Sequence, residues 1–203
     1  MRAILPLALL GLSATAFADR LITIPTGSKI RLNTIRAEAQ IEQSRGRVSK
    51  YFLGTGITNA IDIELTGEKF ENHRLRNSFD IAYNYIPPII GIGPGISFGV
   101  QDVLGVTRDG RRYFLAITTK EGFADSVNGR IPFEFTLGAY FGAINAPFVG
   151  VMIPFTDYVR VLAEFNGLRV NAGVELRPTN DIGLRAVFDR NDVLIGAQVS
   201  VKF

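Results

Sequence analysis

The first candidate for a catalytic group in this chain is His73, its only histidine. A hydrolase or acyltransferase needs such a base beside a serine or an aspartate, because an unassisted hydroxyl is a weak nucleophile. The nearest serine in the sequence is Ser78, and we predict no nucleophile elbow, the sharp strand-to-helix turn that exposes a catalytic serine. We therefore interpret His73 as an exposed turn residue and expect no enzymatic activity.

Two other patterns could bind a ligand. The stretch Gly91-Ile92-Gly93-Pro94-Gly95 has the glycine content of a phosphate-binding loop, but Pro94 removes a backbone donor and no predicted helix follows it. Asp62 and Glu64 are spaced to share one face of a strand, as a divalent metal site would require. A flexible turn and a pair of charges facing arginine are the preferred interpretations, and the sequence predicts neither a metal nor a cofactor.

The composition excludes further classes of site. The chain has no cysteine, so disulfides, thiolate metal sites and cysteine nucleophiles are excluded. Its formal net charge of +3 is small and dispersed, which argues against nucleic-acid binding. The 21 glycines and the positive mean hydropathy of +0.20 fit an all-β chain that is rich in turns.

The first 18 residues predict a secretory signal peptide. Arg2 supplies the positive charge, residues 4–10 are a short apolar run, and Ala16-Phe17-Ala18 has the form of a cleavage site. The apolar run is too short to span a bilayer as a helix. We expect residues 1–18 to be removed and residues 19–203 to form one outer-membrane β-barrel domain.

The mature chain alternates apolar and polar residues in segments separated by turn clusters, which is the pattern of a β-sandwich or barrel. About twelve such segments predict an all-β fold: a single closed antiparallel up-and-down transmembrane barrel. Residues 36–42 have good helix propensity, but their alternation favours a strand. Two stretches fit less well. Residues 147–153 are nearly all apolar, and the alternation changes parity between Leu32 and Ile35, which indicates a β-bulge.

Alternation does not say which face points outward. A membrane barrel has an apolar exterior and a polar lumen, whereas a lipocalin-like barrel has the reverse. Charges of both signs on neighbouring strands could pair inside a narrow lumen, which favours the membrane barrel. The predicted lumen charges are Arg36, Glu38, Asp62, Glu64, Glu134, Arg160, Glu164, Arg169, Glu175 and Arg185. We expect a hydrated but crowded lumen that is either closed or passable to small solutes.

The last eleven residues are the most regular strand of the chain. Alternate apolar residues end on a terminal aromatic, in the order Val193, Ile195, Ala197, Val199, Val201 and Phe203. This pattern resembles the closing strand of bacterial outer-membrane β-barrels, whose C-terminal Phe is read during insertion. The resemblance implies that Val199, Val201 and Phe203 form an insertion signal for the outer-membrane insertion machinery. Leu21-Ile22-Thr23-Ile24-Pro25-Thr26 resembles the start of YjbH-like barrels, a family linked to exopolysaccharide secretion.

Counting turns back from Phe203 assigns each turn to one side of the membrane. If the C-terminus is periplasmic, most prolines fall at inner turns, together with Thr58-Asn59, Thr156-Asp157 and Thr179-Asn180-Asp181, which are similar to periplasmic turns of outer-membrane barrels. The outer turns collect Arg45, Arg47, Arg74, Arg76, Arg108, Arg111 and Arg112. Guanidinium groups bind phosphate in a bidentate manner, so we expect this rim to contact lipopolysaccharide. The sorting supports an even strand count.

These patterns predict an integral outer-membrane barrel that is structural or a small-solute pore. Its expected partners are membrane lipids, including lipopolysaccharide, and not nucleic acid. The alternative is a soluble periplasmic lipocalin-like barrel that carries an apolar ligand.

Overall fold

Within residues 20–43, 48–70, 74–122, 132–189 and 192–203, which the computed structural model describes, the chain forms twelve β-strands. They are β1 (Thr34–Glu42), β2 (Val48–Gly56), β3 (Ile61–Phe70), β4 (Arg76–Ile86), β5 (Gly95–Gln101), β6 (Arg112–Glu121), β7 (Phe133–Gly142), β8 (Ala146–Pro154), β9 (Val159–Phe165), β10 (Val170–Leu176), β11 (Ile182–Asp189) and β12 (Asp192–Lys202).

Each strand pairs in antiparallel fashion with its neighbours in sequence, and β1 also pairs with β12. Thr34 lies opposite Lys202 and Ala39 lies opposite Ala197, so this last seam closes the sheet into a barrel. The predicted fold class, a closed antiparallel all-β barrel of about twelve strands, is confirmed. No helix in the described part of the chain is long and apolar enough to cross a membrane.

The two faces of the sheet differ in chemistry. In β1 every second residue is buried inside the barrel, including Arg36, Glu38 and Gln40, whereas Ile35 and Ile41 are exposed on the outside. The other strands expose large apolar side chains in the same way, among them Leu53, Leu65, Leu115, Leu137, Val161, Val174, Leu184, Ile195 and Val199. This is the arrangement of a barrel that faces lipid, because a lipocalin-like carrier would bury its apolar face instead.

The parity change near residue 33 has a different cause from the predicted bulge, and that prediction is wrong. β1 begins only at Thr34, and Ile30 lies inside the barrel, before the strand. Asn33 adopts a left-handed conformation with φ of 58°, which an asparagine tolerates better than most residues. The chain therefore turns here from the lumen into the barrel wall. A register irregularity does occur between Asn84 and Ile86 of β4.

The barrel has two distinct ends. We call the end at which β1 begins and β12 finishes the terminal end, and the opposite end the loop end. At the terminal end, Thr58, Thr156 and Thr179 form the same turn. Each hydroxyl oxygen accepts hydrogen bonds from the backbone N–H groups two and three residues ahead, at 2.9 to 3.3 Å. Threonine is suited to such turns because its hydroxyl takes the place of a backbone acceptor.

The exposed apolar face gives a test of whether lipid surrounds the barrel. Leu137 lies in the middle of β7 with 50 % of its surface exposed, and Leu168 in a turn at the loop end is 49 % exposed. Leu137→Arg should destabilise the protein in lipid vesicles by about 2–4 kcal/mol, whereas Leu168→Arg should cost about 1 kcal/mol or less, because the cost of a charge depends on depth. Denaturant unfolding in vesicles measures both. Equal effects of the two changes would contradict the membrane-facing assignment.

Candidate functional site in the barrel lumen

Residues 20–30 lie inside the barrel, and we call them the plug segment. Arg20 is 5 % exposed and Ile24 is 0 % exposed. At the terminal end, the backbone N–H of Ile30 donates to Asp62 Oδ2 at 3.1 Å. Nearer the loop end the segment reverses its direction, because Leu21 N–H donates to the carbonyl of Ile24 at 3.0 Å. Arg20 then forms an antiparallel bridge with Pro25, so the segment fills the lumen as a folded hairpin-like turn.

The apolar side chains of the plug segment pack against one sector of the wall. Leu21, Ile22 and Ile24 belong to the same buried cluster as wall residues of β6 to β9, β11 and β12: Phe114, Ala116, Tyr140, Phe148, Met152, Leu162, Val187 and Leu194. This contact explains why residues 147–153 lack alternation. Phe148 and Met152 point inward and remain apolar, because the surface that they cover is the plug segment rather than water.

Three inward-facing glycines leave room for the plug segment. A Cβ atom on Gly150 of β8 would lie 2.5 Å from Leu21 Cδ2 and 2.6 Å from Ile24 Cδ1. A Cβ on Gly54 would lie 2.5 Å from Ile30 Cδ1, and one on Gly56 would lie 2.5 Å from the Ile30 carbonyl oxygen. Real Cβ contacts are longer than this. A Cβ on Gly56 would meet backbone, whereas one on Gly150 or Gly54 would have to displace the ends of buried side chains of the plug segment.

Glu164 of β9 binds the reversed turn of the plug segment. Its carboxylate accepts hydrogen bonds from the backbone N–H groups of Ile22, Thr23 and Ile24 at 3.0 to 3.2 Å. The Thr23 hydroxyl and Asn171 Nδ2 donate to the same carboxylate. Successive N–H groups that converge on one anion form a nest, which stabilises the charge without a counter-ion. Glu164 therefore fixes the backbone of the turn rather than any one side chain.

The remaining backbone of the plug segment is held by wall hydroxyls and amides. Gly27 N–H donates to Thr118 Oγ1 at 2.7 Å, and Gln101 Nε2 donates to the Thr23 carbonyl at 3.3 Å. Ser97 Oγ donates to the Thr26 carbonyl at 2.8 Å. Gly95, Ser97 and Gly99 do match the Gly-x-Ser-x-Gly spacing of a nucleophile elbow. Ser97 nevertheless lies within the continuous strand β5, fully buried against the plug segment, so it is not an exposed nucleophile.

Arg20 ties the plug segment to the charged sector of the lumen. Its guanidinium bonds to Glu38 Oε2 at 2.7 Å and to Glu64 Oε1, and it lies over the ring of Phe52 at 3.3 Å from the centroid. Charge-assisted contacts of this kind are among the stronger polar interactions in proteins. The charged and apolar sectors of the lumen therefore bind different parts of the plug segment.

The predicted lumen charges all belong to strands or turns that surround this segment. Nine of them are buried: Arg36, Glu38, Asp62, Glu64, Glu134, Arg160, Glu164, Glu175 and Arg185. Arg185 joins two of the carboxylates, Glu38 at 3.3 Å and Glu175 at 2.7 Å. Arg169 lies nearer solvent at the loop end, where it pairs with Asp189 at 3.0 Å.

Little free space remains in the lumen. The largest of three described cavities has a volume of about 90 Å³ and lies at the loop end, with Arg20 and Thr23 at its base. The other two measure about 30 Å³ and about 10 Å³. Cavities of this size have room for a few waters. Among the described residues, the lumen beside these cavities is occupied by the plug segment.

The arginines predicted for the outer rim divide into three groups. Arg74, Arg76, Arg108 and Arg111 are exposed at the loop end. Arg112 is not a rim residue: it is buried, pairs with Asp109 at 3.5 Å and lies over the ring of Tyr140 at 4.6 Å. It begins β6 on the inward-facing parity, which directs its side chain into the lumen. Arg45, Arg47 and the candidate base His73 lie outside the described residues.

Asp102 organises the loop between β5 and β6, which borders the largest cavity. Its carboxylate accepts hydrogen bonds from Val106 N–H at 3.0 Å and Thr107 N–H at 2.8 Å. Burial alone would raise the pKa of this carboxyl, but hydrogen bonds with Ser78, Thr107 and Val106 outweigh burial and lower the pKa. The loop is therefore most stable when Asp102 is ionised, and that contribution is lost as the pH falls through the lowered pKa.

Sequence reasoning missed the plug segment itself. It assigned the stretch that follows the predicted cleavage site to the barrel domain without a separate role, although two signals indicated a position in the lumen. The first was the change of parity before Ile35, and the second was the apolar stretch at residues 147–153, whose inner face needed an apolar partner. Read together, they indicate that a segment before β1 packs against β8.

Comparisons with known proteins agree with this architecture. Neither a protein-family model nor a curated protein sequence matches the chain. Among solved structures, the outer membrane protein Omp33 of Acinetobacter baumannii aligns with a TM-score of 0.51 at 12 % identity, over 84 % of this chain and 97 % of that one. The KdgM porin aligns with a TM-score of 0.51 at 9 % identity, over 84 % and 99 %. The chain has the fold of a small outer-membrane β-barrel.

Gly150 gives a direct test of the fit between wall and plug segment. Gly150→Ala should loosen the segment by about 1–3 kcal/mol, as expected for overpacking. Hydrogen exchange at the amides of residues 21–24 should then accelerate by about 5- to 150-fold. Gly183→Ala is the matched control, because a Cβ on this inward-facing glycine of β11 would meet its nearest neighbour at 3.6 Å. Similar acceleration in both variants would contradict the specific fit at Gly150.

Proposed function

We propose that the protein is a pore of the bacterial outer membrane that rests in a closed state, with the plug segment as its gate. The observation that carries this proposal is the occupation of the lumen by residues 20–30. The apolar exterior supports a position in a membrane, and the charged interior supports a path that water and small solutes can follow once the segment leaves.

The covalent connection of the plug segment supports its role as a gate. It joins the wall through residues 31–33, and the turn at Asn33 marks the point where the chain passes from lumen to wall. The other contacts described above are hydrogen bonds, ion pairs and apolar packing. A twelve-stranded barrel is wider than an eight-stranded one, whose own side chains fill the interior. Removal of the segment would therefore leave a small aqueous channel.

The proposed orientation places the terminal end in the periplasm. The chain would cross the inner membrane by a signal peptide cleaved after Ala18, so that the mature protein begins immediately before the plug segment. Val199, Val201 and Phe203 are exposed on the outer surface near the terminal end, which supports their role as the signal for the insertion machinery. The proposal includes no catalytic step. Ser97, the serine at the Gly-x-Ser-x-Gly spacing, donates to the Thr26 carbonyl of the plug segment.

The rim arginines support a contact with lipopolysaccharide. Arg74, Arg76, Arg108 and Arg111 are exposed at the end that this orientation places at the cell surface, where phosphate groups of lipid headgroups would lie. Guanidinium groups bind phosphate through two parallel hydrogen bonds. The rim would thus anchor the barrel laterally and leave the lumen unaffected.

The gate is tested by placing a charge in its apolar contact. Ile24→Asp puts a carboxylate at a position that is 0 % exposed, and an unpaired charge there costs several kcal/mol. We expect about a tenfold or larger increase in the time that the protein spends conducting in a planar lipid bilayer, while the wild type stays mostly closed.

Ile57→Asp is the matched control, since Ile57 is 51 % exposed in a turn at the terminal end. This variant should conduct like the wild type. If the wild type already conducts steadily, or if Ile24→Asp remains closed although gel mobility shows a folded barrel, the gate is not the plug segment.

The lipid contact is tested by the triple change Arg74→Ser, Arg108→Ser and Arg111→Ser. Loss of three phosphate contacts should reduce the amount of co-purifying lipopolysaccharide at least severalfold, because charge-assisted hydrogen bonds are about twice as strong as neutral ones. Lys202→Ser, which removes an exposed cation from the terminal end, should have no effect. An unchanged amount of lipopolysaccharide in the triple variant would remove the rim from the proposal.

A further inference from the structure

We propose that the lumen is a binding site for a peptide that reverses its direction in a turn, that residues 20–30 are its in-chain ligand, and that the Glu164 carboxylate is the group that recognises it. This inference rests on the proposed function in one respect, which is that the plug segment can leave the lumen. It adds a residue that recognises the segment and a class of peptide that can bind, neither of which a simple steric gate requires.

Glu164 is bound chiefly by backbone N–H groups, with the Thr23 hydroxyl as a further donor from the plug segment. Three successive N–H groups, those of Ile22, Thr23 and Ile24, meet the two carboxylate oxygens at 3.0 to 3.2 Å. Such convergence requires a peptide that reverses its direction at this point, and a straight strand presents alternate N–H groups to opposite sides. With the plug segment in place Glu164 is 3 % exposed, and on the wall Asn171 Nδ2 also donates to its carboxylate.

The side-chain preference of the site comes from two sectors of the wall. A basic residue at the start of the peptide reaches Glu38 and Glu64, as Arg20 does. Aliphatic residues that follow it enter the cluster of Phe148, Met152 and Leu162 described above. Gly54, Gly56 and Gly150 admit the peptide without a side chain in the way. The ligand class is therefore a peptide that begins with a basic residue and continues with a short aliphatic turn and then small or polar residues.

The wall supplies these groups from several strands, which implies that the site persists without its ligand. Glu164 lies on β9, Thr118 on β6, Ser97 on β5 and Asp62 on β3. Each of these strands is held by hydrogen bonds to two wall neighbours, so their positions do not depend on the plug segment. A peptide supplied separately should find the same donors and acceptors.

The experiment uses the full-length chain in which Ile24→Asp keeps the native segment out of the lumen. The probe is a synthetic peptide with the sequence of residues 20–30, acetylated at its N-terminus and carrying a fluorophore beyond Ile30, where the native chain leaves the lumen. Fluorescence anisotropy in detergent measures its affinity. A peptide of the same composition in scrambled order is the control ligand, and heat-dependent gel mobility verifies that each variant is folded.

The position of the native segment is read independently of peptide binding. Ser28 is 4 % exposed and its hydroxyl has no hydrogen-bond partner among the described residues, so Ser28→Cys introduces a thiol with little disturbance into a chain that has no cysteine. A bulky maleimide should label Ser28→Cys slowly in an otherwise native protein and at least tenfold faster when Ile24→Asp is also present. Equal labelling rates would show that the apolar contacts do not hold the segment, and the inference would fail.

Three binding results are expected. The peptide binds Ile24→Asp saturably, it binds the wild type at least tenfold more weakly because the site is occupied, and adding Glu164→Gln to Ile24→Asp weakens binding at least tenfold. Glu134→Gln is the matched control for the last change, because Glu134 is an equally buried lumen carboxylate that pairs with Lys120 at 3.2 Å. It should change the affinity less than threefold.

The inference is overturned if a folded Ile24→Asp protein, in which the Ser28→Cys thiol is labelled rapidly, does not bind the peptide. It is also overturned if the scrambled peptide binds equally well, or if Glu164→Gln and Glu134→Gln have the same effect. Absence of conductance in the Ile24→Asp protein would instead overturn the proposed pore while leaving peptide binding measurable. The two proposals therefore fail separately.

Discussion

The width of a twelve-stranded barrel is the constraint on which the rest of this structure depends. Strand number sets the diameter, and at this size the wall's own side chains do not fill the interior. The wall itself is satisfied, because each strand has hydrogen-bonded neighbours on both sides and its apolar face meets lipid. The strand pattern therefore determines the wall of the barrel but not what occupies its lumen. In this protein the chain supplies its own filling.

The plug segment makes two kinds of contact in the lumen, charged and apolar, and each compensates a different cost of burial. Charged side chains buried without partners would cost far more than they contribute. Arg20 reduces this cost by sharing Glu38 and Glu64 with arginines of the wall. Leu21, Ile22 and Ile24 remove apolar wall surface from water. Glu164 makes a third kind of contact: its carboxylate accepts hydrogen bonds from the backbone of the turn in the plug segment.

The sequence predicted the wall well, because alternation with a period of two is a direct consequence of strand geometry. The strand that begins at Val193 and the common face of Glu175 and Arg185 follow from parity. Charges of both signs on that face predicted that it points inward. Partners inside the lumen did not follow, since parity places a side chain on a face without saying which strand lies across the barrel. Arg112 shows the limit: a turn position in the sequence became the first inward residue of β6. The plug segment was not predicted, because an apolar stretch before β1 is also compatible with an edge strand. Only its contacts with β8 distinguish a segment inside the lumen from such a strand.

The position of Asn33 has a consequence for assembly. The carbonyl of this residue accepts a hydrogen bond at 2.9 Å from the backbone N–H of Phe203, the last residue of the chain, and the adjacent pair of Thr34 with Lys202 begins the closing seam. The contacts that finish the cylinder thus have nearly the greatest sequence separation available to this polypeptide, and contacts of that kind are the slowest to form. The segment that lines the interior is attached at this same seam. β1 therefore gains its second neighbour only after β12 has been made, and closure of the barrel wall depends on that strand.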